Sequence, residues 1–145
     1  FGEEQVKVWR RSYDCPPPAL EAKDERYPGN QAQFRDVPKK DLPFTESLEL
    51  TVARAVPFYE EVIKPEMEKG KRCLIVAHGN SIRALYKYFT NCPKEEIVGV
   101  NIPTGVPLVF EFDDNMKATK HYYLMDEAAL KAEMEAVANQ GKANK

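Results

Sequence analysis

His78, Gly79 and Asn80 follow one another and combine a proton-active ring, a bare backbone and an amide. His78 can give or take a proton near neutral pH. Gly79 lets a ligand approach the main chain closely. Asn80 stands where a helix is expected to begin, and the first N–H groups of a helix favour negative charge. Binding or reaction of an anion is the chemistry this turn suits. The same residues have plainer uses: Asn80 or Ser81 can be an N-cap, and His78 a hydrogen-bonded loop residue. A second candidate, the pair Arg10-Arg11, lies near the start of the chain. Guanidinium forks match carboxylate and phosphate oxygens bidentately. In the last turn of a helix the same pair answers the helix dipole, at about 0.3–1 kcal/mol each.

The elements around these residues set their positions. Residues 72–77 form an apolar run of strand length, with Cys73 inside it as a buried packing residue. Residues 81–90 predict a helix, with Ile82, Leu85, Tyr86 and Phe89 on one face. Before the run, Leu48, Val52, Ala55, Val56, Tyr59, Val62 and Ile63 recur at helical spacing, with Thr45 or Ser47 as cap. Pro57 should kink or break that helix, and Gly70 should close it. Helix, strand and helix in succession imply a sheet covered on both faces, with chemistry at the carboxyl end of its strands. Residues 2–13 predict a further helix carrying Arg10 and Arg11 in its last turn, and Pro93 opens a short one. Residues 106–112 and 118–124 predict a hairpin, in which His121 is taken as non-catalytic. Asp126 caps a last helix with Leu130, Met134 and Val137 on one face.

The whole chain bounds the answer. Its 145 residues suit one domain, and 43% hydrophobic with 30% charged residues suits a soluble fold. A formal net charge of −2 exerts no global pull on nucleic acid or membrane, so cations for an anionic ligand must be gathered locally. No apolar run reaches bilayer length and no signal peptide is apparent. Three scattered cysteines and two histidines lack metal-type spacing, so no metal is expected, and a reduced, cytoplasmic compartment is the default. Residues 14–44 hold six of the eleven prolines and predict an irregular, solvated surface segment. Residues 139–145 predict a mobile tail.

Several spaced motifs together carry a resemblance. Ala77-His78-Gly79-Asn80-Ser81, then Asn101-Ile102-Pro103-Thr104-Gly105-Val106-Pro107, closely resemble the cofactor-dependent phosphoglycerate mutases of the histidine phosphatase superfamily. Trp9-Arg10-Arg11-Ser12-Tyr13, Glu46-Ser47-Leu48, Ala53-Arg54-Ala55 and Gln140-Gly141-Lys142 extend the likeness over essentially the whole chain. The resemblance implies an α/β three-layer sandwich, with a mainly parallel sheet between helices. It also implies interconversion of 3-phosphoglycerate and 2-phosphoglycerate through a phosphohistidine, primed by 2,3-bisphosphoglycerate without a metal. His78 would match the family's second, catalytic histidine. Arg10, Arg11, Gly79 and Asn80 would bind substrate. A homodimer or homotetramer would be usual.

The family's nucleophile sits in an Arg-His-Gly motif, and none occurs in these residues. The chain opens on Phe1-Gly2-Glu3 directly before a helical pattern, which suggests the carboxyl-terminal part of a longer protein whose amino-terminal half is its missing partner. Alone it is expected to be inactive. The alternatives are a non-catalytic fragment, a phosphate-binding pseudoenzyme, or a related bisphosphoglycerate synthase or phosphatase. An apolar strand left without its neighbour is expected to make the isolated chain associate.

Overall fold

The computed structural model describes residues 1–139. Its centre is a pair of helices, α2 (Leu48–Phe58) and α4 (Gly79–Thr90), packed face to face. Leu48 of α2 and Ala84 of α4 close on Ile97, which is fully buried, and Val52, Ala55 and Tyr86 pack around them. The small side chain at Ala84 is what lets the two helices approach so closely.

Ser47 is the cap of α2: its Oγ accepts from the Leu50 N–H at 3.2 Å, and Thr51 Oγ1 returns a bond to the Ser47 carbonyl. Pro57 does not end the helix. It removes one N–H from the ladder, and the backbone answers with a π-helical turn, Tyr59–Ile63, before α3 (Lys64–Glu68) resumes. That turn directs Tyr59 inward, where its ring meets the edge of Phe89 at 4.7 Å. Gly70, at φ +80°, ends α3, as its position before the apolar run predicts.

A hairpin of β1 (Leu108–Phe112) and β2 (Ala118–Tyr123) meets α4 through aromatic rings. Phe110 and Phe112 each place their rings 5.1 Å from Phe89, and His121 stacks on Phe110. The first helix, α1 (Glu3–Arg11), is shorter at both ends than its sequence pattern predicts. Residues 93–100 give only a 3₁₀ turn, Ile97–Gly99, in place of the expected helix. Helix α5 (Glu127–Asn139) starts at Asp126, whose carboxylate caps Ala129 N–H at 3.0 Å. The tail expected beyond Asn139 lies outside the described residues.

Residues 14–44 close on themselves through short 3₁₀ turns. Tyr27 is buried and stacks on Phe44 with centroids 4.3 Å apart. Gly29 is required beside it, because any Cβ there would fall 2.3 Å from the Tyr27 ring.

A larger expectation is not met either. Residues 72–77 form no strand, and the hairpin is the single sheet among the described residues, antiparallel rather than parallel. Leu74 and Val76 are each 87% exposed, and Cys73 is exposed rather than packed inside. A strand is defined by its hydrogen-bonded neighbour, and no described segment lies beside these residues to provide one. The fold of the described residues is therefore α/β in composition, with helices and one small antiparallel sheet.

Candidate active site

The carboxyl end of the apolar run, the last turn of α1 and the amino ends of α2 and α4 converge on one cavity of about 280 Å³. Arg10, His78 and Asn80, three of the five residues singled out in the sequence, line it together. The other two do not. Gly79 is the first residue of α4, and a Cβ there would meet only the Ile102 carbonyl at 4.0 Å, so the helix tolerates more than glycine. Arg11 turns away and donates to Asn101 Oδ1 at 2.6 Å and to the Val137 carbonyl at 3.0 Å. It ties α1 to the 101–107 turn and to α5. Burial, and then the neighbouring Arg10 charge, push its pKa down.

His78 is itself the N-cap of α4, in place of Asn80 or Ser81. Its Nδ1 accepts from the Asn80 backbone N–H at 3.1 Å. An accepting Nδ1 carries no proton, so the ring's N–H is on Nε2. The cap therefore leaves His78 with a donor to offer. The first N–H groups of α4 are also without helical partners and lie at its positive end.

Three further charged residues stand in the wall. Arg83 is 4% exposed, with Nη1 on Asn80 Oδ1 at 3.2 Å and Nη2 on the Ile97 carbonyl at 2.7 Å. Its Nε is buried without a partner. Burial and the charge of Arg11 lower its pKa. Glu46 and Arg54 form a forked pair at 2.5 and 2.9 Å on the cavity rim. Arg54 holds the Glu46 carboxyl below the usual carboxylate range.

The sequence motifs contain Glu46 and Arg54 without giving either a site role, and they leave out Arg83. A signal was present: Arg83 is three residues after Asn80, on the same helical face. The result is a concave site with cations from three helices, an imidazole N–H, and one carboxylate already neutralised. Such a site stabilises the oxygens of a small anion. His121, by contrast, stands outside it, 3.4 Å from the Tyr86 hydroxyl. Among the described residues no group of three or more His, Cys, Asp or Glu is arranged to hold a metal ion, and no helix is long and apolar enough to cross a membrane.

Comparison with known proteins matches the chain both to a family and to individual relatives. The family model for the histidine phosphatase superfamily (branch 1) matches residues 17–124. A 2,3-bisphosphoglycerate-dependent phosphoglycerate mutase from Treponema denticola is 60% identical over 142 residues. That alignment covers 98% of this chain and 58% of the relative, so the chain spans well under two thirds of the relative's length.

Proposed function

We propose, for a chain that belongs to the histidine phosphatase superfamily (branch 1), that its cavity is the cationic side of a phosphoglycerate mutase active site. In a protein of the relative's length, the reaction would interconvert 3-phosphoglycerate and 2-phosphoglycerate. The observation that carries this reading is the meeting of Arg10, His78 and Asn80 in one cavity, within a chain so similar to a named mutase.

Phosphoryl transfer asks a protein mainly for positioning and for charge aimed at the transferring oxygens. His78 would donate from Nε2 to those oxygens. Arg10 would grip the carboxylate or the non-reacting phosphate with its fork. Asn80 would add amide donors, and the Gly79 N–H a helix-end donor. Arg11 would act from behind, by holding α1 in place and adding positive charge. Bound 2,3-bisphosphoglycerate would supply the phosphoryl group that primes the cycle. The residues present fit such an anion: a buried guanidinium with an unpartnered Nε stands in the wall.

In the complete protein, residues 72–77 would take their place as a strand of a parallel sheet between helices, beside a strand carrying the nucleophilic histidine. A cytoplasmic location and a homodimer or homotetramer accord with a glycolytic role.

The test uses the full-length protein. His78→Ala should lower kcat by about 10² or more, the scale for one transition-state donor. Arg10→Ala should chiefly raise KM for phosphoglycerate. An unchanged kcat in the first variant refutes the assignment of His78. Mutase turnover below the synthase or phosphatase rate would reassign the reaction.

A further inference from the structure

We propose that Arg83 is a positioning residue that fixes the Asn80 amide with its oxygen turned inward and its NH₂ turned to the cavity. An amide has nearly the same shape in either orientation, so shape alone does not choose between them. Charge does. A guanidinium has five donors, no acceptor, and stays protonated, so the amide atom that meets it must be the oxygen. Arg83 Nη1 is 3.2 Å from Asn80 Oδ1, across one turn of α4. The Asn80 NH₂ is then the group left for a ligand, and an anion meets donors only.

Arg83 is well placed for this task. Nη2 is anchored at 2.7 Å on the carbonyl of Ile97, which is fully buried in the core. The head is thus fixed from the protein side, and no carboxylate among the described residues pairs with it. An ion pair would satisfy such a buried charge better than an amide oxygen does. Its place here is consistent with a charge kept open toward the cavity. That part of the proposal rests on the cavity's being an anion site, whereas the amide orientation does not.

The test separates the two. In the full-length protein, Asn80→Asp keeps the shape and puts a carboxylate against Arg83. The melting temperature should rise by at least about 2 °C. Stabilisation by inorganic phosphate should be lost. In an Arg83→Gln background the rise should shrink to less than half, which separates pairing with Arg83 from the helix-end effect of a negative charge. An equal rise in both backgrounds, or a fall, overturns the proposal. If Arg83→Gln does not fold, Arg83→Lys takes its place, since lysine keeps the charge but cannot bridge both oxygens. It should weaken phosphate binding about fivefold alone and leave it unchanged on top of Asn80→Ala. Additive losses overturn the proposal. A wild-type protein that phosphate does not stabilise at all contradicts the anion reading. The Asn80→Asp melts still decide the orientation.

Discussion

The helix pair α2 and α4 and the run at residues 72–77 are both apolar, and they meet at His78, yet the described structure treats them in opposite ways. Leu48, Ala84 and Ile97 are buried. Leu74 and Val76 lie in the open at 87% exposure. Hydrophobicity does not separate the two regions, because the run is the more apolar. The difference is in who supplies the partner. Each helix satisfies its own backbone and needs only a facing stripe, which its sequence neighbour provides. A strand satisfies neither its backbone nor its side chains until another strand lies beside it. The cationic wall of the cavity is therefore built by local elements, whereas the segment leading into His78 has no strand beside it among the described residues.

The largest expected effect tests that contrast directly. Ile97→Ala should destabilise the 145-residue chain by about 2–5 kcal/mol, the range for truncating a buried aliphatic side chain. Leu74→Ala should cost under about 0.5 kcal/mol in the same chain. Denaturant titration measures both. Similar costs would mean that something covers the run, and the comparison would collapse. In a protein of the relative's length, where a neighbouring strand is proposed, Leu74 should behave like Ile97. The same contrast predicts association of the 145-residue chain through the exposed run. Leu74→Asp should reduce it in sedimentation, and a monomeric wild-type chain would argue against the exposed edge.

A smaller effect sits at the junction of fold and site. Ser47 is buried, caps α2 and lines the cavity at once. Ser47→Ala should cost about 1 kcal/mol, the usual loss for a helix cap. Ser47→Thr or Ser47→Asp should recover most of it if the cap bond is the cause. A loss that neither substitution recovers would point to the fit of Ser47 in the cavity wall instead.

What the sequence made legible follows the same division. The apolar stripes of α2 and α4, the Ser47 and Asp126 caps, the Gly70 stop and the hairpin all depend on residues within a few positions of one another. Each is found close to where the pattern puts it. The strand at residues 72–77 and the parallel sheet were read from a run whose partner is not among the described residues, so their local signal had nothing to act on. The cap of α4 lies two or three residues before the Asn80 or Ser81 that the sequence pattern predicts, because an imidazole nitrogen serves as the capping acceptor. A charged residue in an amphipathic helix is usually solvated, and Arg83 departs from that rule. Its burial arises from Ile97, a contact between elements that no local pattern reveals. Arg10, His78 and Asn80 were legible because their types suit an anion wherever they stand. That Arg11 turns to Asn101 and Val137 could not be read from a pair of adjacent arginines.

The smallest expected effect concerns the rim carboxylate. Glu46 is held by Arg54, whose hydrogen bond lowers its pKa more than partial burial raises it, with a smaller lowering from Thr51. Because the folded value lies below the ordinary one, the pair stabilises the fold above the usual glutamate range, about 4.3. That contribution is lost as pH falls through the depressed folded value. Both side chains are partly solvated, so screening keeps the effect under about 1 kcal/mol. Glu46→Gln should therefore lower stability slightly at pH 7 and not at all at the acid end of the titration. Paired melts at pH 7 and pH 3 measure the difference. A variant equally destabilised at both would show that packing, not charge, holds Glu46. At pH 7 the same substitution also frees Arg54 at the cavity rim, so inorganic phosphate should bind the variant more tightly than the wild type. Weaker binding would mean that Arg54 needs Glu46 to hold it within reach of an anion, and that the rim pair belongs to the locally built wall rather than to its solvated edge.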